Sequence, residues 1–281
     1  MQDPRAIVAG FDGSAEAAAA VRWAVRQARA ARCPLHVVHC SLWPLLTRHL
    51  GPVPGVSGSG LEQSAQSILE EGVACARAEG PGLDIRGTLL HGLPAQLLAE
   101  AAAGGRMLVV GSRGLGGFLG LLVGSVSLEL AATAACPVAV IREDLHPAGP
   151  VVVAVNGSGS RAALEDASHL AAGAGAKLIV VHVRQTQARP KHGGPDAEAA
   201  GDDVLQAAVR AAAALAPAVD VQGKLLSGKS VAAALLGASE GAAVLVVGTK
   251  GYGAVKETLG STAHAVLHHA RGPVLVSRRR G

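Results

Sequence analysis

Aromatic side chains are nearly absent from this chain. Phe11, Trp23, Trp43, Phe118 and Tyr252 are all that its 281 residues contain. Stacking platforms for single-stranded nucleic acid need more than that. The core must instead be built from Ala, Val and Leu, which favours helices packed closely on a parallel sheet. Cysteine is also scarce. Cys33, Cys40, Cys75 and Cys136 all fall in the first half and none forms a C-x-x-C pair, so no zinc or redox framework is expected. Buried free thiols are the simpler reading. Strong charge is missing too. The formal net charge is +4, part of it from Arg278-Arg279-Arg280, and no basic patch of the kind nucleic acid requires stands out. Met1 to Pro4 lead directly into a strand-like run, so no secretory leader is expected. From Gly114 to Ile141 the only charge is Glu129. Glycines and the Cys136-Pro137 break make that stretch read as loop, helix and strand rather than as a membrane span. A cytoplasmic protein bound to neither membrane nor nucleic acid is the expectation.

What the chain does have is a repeat. Ile7-Val8-Ala9-Gly10-Phe11-Asp12 matches Val151-Val152-Val153-Ala154-Val155-Asn156, and Leu35-His36-Val37-Val38-His39 matches Leu178-Ile179-Val180-Val181-His182. Leu108-Val109-Val110-Gly111 matches Leu245-Val246-Val247-Gly248, and Cys136-Pro137-Val138 matches Gly272-Pro273-Val274. The offsets are 144, 143, 137 and 136. A period this long is a domain duplication, not a solenoid. The expected domains are residues 1–143 and 150–281, joined by a linker at 144–149 with Pro and Gly punctuation.

Each copy alternates short Val-rich runs with amphipathic helices. In the first copy strands are expected at 5–11, 35–40, 84–90, 106–111 and 137–142, with helices at 14–32, 61–79, 93–103 and 125–135. Runs without strict alternation are strands buried on both faces. Five of them with intervening helices give an α/β fold, an open doubly wound parallel sheet in each domain. Two irregular segments, 41–60 and 184–200, follow the second strand of each copy and read as mobile flaps or interaction loops.

Ligands of such sheets bind beyond the carboxyl ends of the strands, at the switch point. The first copy carries Gly111-Ser112-Arg113-Gly114, nine residues, then Gly124-Ser125. The second carries Gly248-Thr249-Lys250-Gly251, eight residues, then Gly260-Ser261. A strand, a glycine loop and a helix N-terminus together hold phosphate, through bare backbone N–H groups and the positive end of the helix dipole. The N–H groups of Gly124, Ser125, Val126 and Ser127 are the expected donors, and the hydroxyls of Ser125 and Ser127 would add to them. Asp12, at the end of the first strand, suits ribose hydroxyls. Set against this, Ser125 and Ser261 are natural N-caps, and Asp12 could cap the helix that begins near Ser14.

Asp12-Gly13-Ser14 after the first strand, Val37-Val38-His39 in the second, and G-x-x-G-x9-G-S near the end resemble the universal stress protein family. More narrowly, the chain is similar to a tandem-domain member of its ATP-binding branch. The likeness covers nearly the whole chain. It implies two Rossmann-like domains of the adenine nucleotide alpha hydrolase type, each with strand order 3-2-1-4-5, and ATP, with Mg²⁺ or Mn²⁺, at the switch point. By position, Asp12 would meet ribose and the Cys40 backbone adenine. Val110, Gly111, Arg113 and Gly114 would line the nucleotide, and Gly124, Ser125, Val126 and Ser127 would hold phosphate. In the second copy the matching positions are Asn156, Val183, Val247, Gly248, Lys250, Gly251, Gly260, Ser261 and Thr262. There the pattern is broken: Asn156 replaces the Asp, the loop is one residue shorter, and Ala263 stands where Ser127 has a hydroxyl. The resemblance also implies a pseudo-twofold pairing of the domains through their fifth strands; a homodimer and an unnamed protein partner complete the expectation.

No Ser-His-Asp order, paired carboxylates or metal-ligand spacing accompanies the glycine loops. His39 and His182 read as structural, and His268-His269 as surface residues. No dedicated catalysis is expected, although a metal-bound triphosphate could hydrolyse slowly. The readings are thus a nucleotide-binding sensor or regulator of the stress response, a scaffold whose glycine loops are only turns, and a weak ATPase.

Overall fold

The structure is a computed structural model that describes residues 6–42, 59–114, 123–157, 160–186, 195–249 and 259–278. The chain divides into two compact units, Met1–Arg142 and Glu143–Gly281.

Unit 1 runs β1 (Ile7–Gly10), α1 (Ala15–Ala31), β2 (Leu35–Ser41), α2 (Ser59–Glu79), β3 (Ile85–His91), α3 (Pro94–Ala101), β4 (Met107–Gly111), α4 (Ser125–Thr133) and β5 (Val138–Ile141). Its strands are all parallel, in the order β3-β2-β1-β4-β5. Ile7 stands beside both Leu35 and Met107, so β1 lies at the centre. Every residue of β1, β4 and β5 is buried. That is why these runs show no alternation: both faces of the sheet are covered. The α1 helix buries Ala17, Ala20, Val21, Ala24, Val25 and Ala28, an i, i+3, i+4 stripe of small residues that brings its axis close to β1 and β4. Ser14 starts it, accepting the Ala17 N–H at 3.1 Å, and Arg32 in the left-handed region ends it. α1 packs on α2, and α3 on α4. Right-handed crossovers place the first pair on one face of the sheet and the second on the other.

Unit 2 repeats the plan with β6 (Val151–Val155), α5 (Arg161–Ala174), β7 (Leu178–Gln185), α6 (Pro195–Leu215), β8 (Val221–Gly228), α7 (Val231–Ala238), β9 (Val244–Gly248), α8 (Ser261–His269) and β10 (Val274–Ser277). Its parallel order is β8-β7-β6-β9-β10. In each unit the order in which strands are added reverses between the first and fourth strands, which opens a crevice at their carboxyl ends.

The irregular segments are shorter than the sequence implies. β2 reaches Ser41 and α2 begins at Ser59; β7 reaches Gln185 and α6 begins at Pro195. The flap expectation for 41–60 and 184–200 therefore falls mostly on 43–58 and 187–194, which lie outside the described residues.

Candidate functional site

The crevice of unit 1 is a cavity of about 470 Å³. Asp12, Cys40, Val110, Gly111, Arg113, Gly114, Gly124, Ser125, Val126 and Ser127 all line it. They come from four separate stretches of chain, and the parallel order gathers them at one end of the sheet.

The floor is a set of close backbone approaches. A Cβ on Gly111 would stand 2.8 Å from the Glu16 carbonyl carbon and 2.9 Å from the Ala17 nitrogen, both backbone atoms that cannot swing aside. Only glycine lets β4 come this near the start of α1. A Cβ on Gly114 would collide with Oδ2 of Asp12, so the loop is pressed against the carboxylate. Ser127, buried, donates its hydroxyl to the Gly111 carbonyl at 2.7 Å and ties α4 back to β4.

Asp12 is held from its other side. Its Oδ1 accepts the Ser14 N–H at 3.0 Å and the Ser14 hydroxyl at 2.6 Å. Asp12 therefore does not cap α1; Ser14 does, and the carboxylate orients the cap. At the mouth, Arg113 donates from Nε (3.0 Å) and Nη2 (2.6 Å) to one Glu16 oxygen. Two donors are spent on Glu16, and a guanidinium has five, so the rest can meet an anion.

The helix that faces the cavity begins differently from the expected pattern. Its N-cap is Gly124 in an extended conformation, with no side-chain cap, and Ser125 is the first helical residue. The Gly124 N–H is also taken: it donates to the Ser112 carbonyl at 2.8 Å. The donors that α4 itself leaves over are those of Ser125, Val126 and Ser127. Gly260 repeats this, capping α8 and donating to the Thr249 carbonyl at 2.8 Å, with Ser261 as the first helical residue.

Other wall residues were not singled out in the sequence. Phe11, Leu42, Pro94 and Leu98 form an apolar side, and His39 borders it. His39 Nδ1 lies 2.8 Å from the Phe11 carbonyl. A carbonyl only accepts, so Nδ1 carries a proton and donates it. Burial pushes the Cys40 thiol up to about 11, which keeps it neutral beside this apolar wall.

Unit 2 has a cavity of the same size, about 470 Å³. Asn156, Val183, Val247, Gly248, Gly260, Ser261 and Thr262 line it. Lys250 and Gly251 lie outside the described residues. His182 Nδ1 reaches the Val155 carbonyl at 3.0 Å, as His39 does in unit 1. The start of the first helix differs. Ser160, the N-cap of α5, is in the left-handed region (φ 44°, ψ 43°) and makes no side-chain cap. Its hydroxyl instead donates to Asn156 Oδ1 at 3.1 Å and accepts the Asn156 N–H at 3.2 Å. Gln185 and Ser160 give this wall a more polar character than its counterpart.

The sequence matches the profile of the universal stress protein family over residues 4–142 and again over 148–278. The chain belongs to this family. It is 33% identical to universal stress protein Rv2005c of Mycobacterium tuberculosis, over 99% of this chain and 100% of that one. Universal stress protein Rv2623 of the same organism is 30% identical, over 97% and 96% respectively. Among solved structures, a universal stress protein from Archaeoglobus fulgidus superimposes with a TM-score of 0.73 at 20% identity, covering 99% of this chain and 97% of that one. The chain is therefore a tandem universal stress protein with an α/β fold in each half. Among the described residues, no helix is long and apolar enough to cross a membrane.

Proposed function

We propose that this universal stress protein binds ATP in the unit 1 cavity and acts as a cytoplasmic, nucleotide-responsive regulator of the stress response. One observation carries the reading: the free N–H groups at the start of α4, Asp12 and the apolar wall of Phe11, Pro94 and Leu98 line one cavity large enough for a nucleotide. An adenine suits the apolar wall and the Cys40 backbone. Ribose hydroxyls suit Asp12, whose carboxylate accepts but cannot donate. Phosphates suit Ser125, Val126, Ser127 and Arg113. No three His, Cys, Asp or Glu side chains gather to hold a metal among the described residues. A Mg²⁺ or Mn²⁺ ion would therefore arrive on the phosphates. In this reading occupancy rather than turnover is the signal, and a protein partner reads it.

The second cavity is the weaker of the two. Asn156 offers ribose a neutral amide in place of a charged carboxylate.

The test is the nucleotide content of protein purified without added ligand, followed by calorimetric titration with ATP. One ATP per chain is expected, lost on changing unit 1 residues. Absence of both bound nucleotide and heat would sink the proposal. Phosphate release that is unaffected by Ser125→Ala would mark any ATPase activity as a contaminant.

A further inference from the structure

Arg113 lines the unit 1 cavity, and Glu16, to which it is bonded, does not. We infer that Glu16 is a positioning residue for anion binding in unit 1: it fixes the Arg113 guanidinium where the phosphates of a nucleotide arrive. The inference rests on the nucleotide reading of that cavity and adds to it a residue that touches no ligand.

The geometry of the pair carries the argument. Nε and Nη2 of Arg113 reach the same Glu16 oxygen, at 3.0 and 2.6 Å. Two charged bonds from one planar group set its orientation as well as its place. Glu16 is the anchored partner. It sits in the first turn of α1, where the helix dipole favours a carboxylate, and its side chain is 20% exposed against 49% for Arg113. The same end of α1 meets the loop at further points. The Ser14 hydroxyl lies 3.4 Å from the Arg113 carbonyl, and β4 approaches so closely that a Cβ on Gly111 would strike the Glu16 backbone. Arg113 is thus tied to α1 through both its backbone and its side chain. An unheld arginine on a glycine loop loses much of its rotamer freedom on meeting a phosphate; a pinned one has lost it already.

Unit 2 lacks both halves of the device. Counted from the N-cap serines Ser14 and Ser160, the position of Glu16 falls on Ala162, which has no carboxylate. The residue that matches Arg113 is Lys250. A lysine is a point charge on a flexible stem, with no planar fork for a carboxylate to orient.

The field of Glu16 taken alone predicts the opposite effect. A carboxylate beside an anion site repels the ligand, so its removal would tighten ATP if charge were all that mattered. Pre-organisation of Arg113 predicts weaker binding, and the sign of the change separates the two.

The test titrates the full-length protein with ATP by calorimetry at about 0.15 M ionic strength, where long-range repulsion is screened. Glu16→Ala should weaken ATP about fivefold and Arg113→Ala about tenfold. In the Arg113→Ala background, removal of Glu16 should change the affinity by less than about twofold, because no guanidinium is left to hold. A role confined to packing of α1 would persist in that background. Glu16→Gln keeps the shape and one acceptor oxygen, and its affinity should fall between those of the unaltered protein and Glu16→Ala. Unchanged or tighter binding by Glu16→Ala, or an equal loss with and without Arg113, would overturn the inference and leave ATP binding standing. No ATP binding by the unaltered protein would overturn the nucleotide reading and this inference with it.

Discussion

The two cavities share a size and a plan, yet the residues that begin the first helix of each unit differ in a way that changes what the crevice offers. In unit 1, Asp12 orients Ser14, Ser14 caps α1, and the carboxylate is pressed against Gly114. In unit 2, Asn156 and Ser160 bond to one another, and Ser160 is driven into the left-handed region, a conformation that costs an L-residue roughly 1–2 kcal/mol. The same fold thus carries two versions of one contact: a carboxylate that holds the serine capping the first helix in unit 1, and an amide that holds a serine making no side-chain cap in unit 2. A duplicated scaffold can keep its phosphate-facing helix in both halves and still lose discrimination at the sugar end of one.

The largest expected effect is chemical. The Cys40 thiol is raised from 9.0 to about 11 by burial. A rise of that size leaves about a hundredfold less thiolate at pH 7 than an ordinary thiol has, and alkylation by iodoacetamide should be slowed to match. Because the folded pKa is raised, the neutral thiol's contribution to stability is fully present below pH about 9 and is lost as pH rises through about 11. A Val183→Cys variant places a thiol at the matching position of unit 2. Protection by ATP of Cys40 but not of this introduced thiol would sharpen the contrast between cavities, and equal protection would break it.

Next comes Gly111→Ala. The new methyl meets the backbone of Glu16 and Ala17, so unit 1 should lose about 1–3 kcal/mol in urea titrations, and its melting should separate from that of unit 2. Reciprocal substitutions at the sugar end follow. Asp12→Asn removes a charged acceptor and should weaken ATP about tenfold in unit 1, with Asn156→Asp giving a gain of similar size in unit 2. If neither change moves the calorimetric constants, ribose is not recognised at these positions. Smallest is Ser127→Ala, which deletes one buried hydrogen bond to Gly111 and should cost about 1 kcal/mol of stability, measured by denaturant unfolding. Ala263→Ser asks whether the same tie can be added to α8.

Much of this architecture is legible in the sequence because its signals are local. The strands show as Val-rich runs, since a sheet covered on both faces has no polar side to interrupt them, and the duplication shows each run twice; the strand order itself comes from the family resemblance. The glycine loops stand out because a close backbone approach leaves no alternative residue at Gly111. The outer wall of the cavity is harder to read. Pro94 and Leu98 on α3 look like ordinary core positions of an amphipathic helix, although Val231 and Leu235 recur in unit 2 at a constant 137-residue offset that could have identified them. The Arg113–Glu16 pair joins residues 97 positions apart and leaves no periodic trace. The commitment of the Gly124 N–H to Ser112 is a property of loop closure, which spacing alone does not reveal.

Gly124 and Gly260 also set a condition on the solvent in which this protein is handled. A helix that opens on glycine has no hydroxyl or carboxylate of its own to meet its first-turn N–H groups, so that end of α4 and of α8 stays electropositive toward the cavity. Small oxyanions share the geometry of a nucleotide's phosphate. Sulfate or inorganic phosphate in a buffer is therefore a competitor, and each anion seated there should stabilise its unit by about 0.3–1 kcal/mol. Affinities measured in phosphate buffer will be weaker than those measured in an amine buffer at equal ionic strength, and the difference will itself report how well each crevice receives an anion.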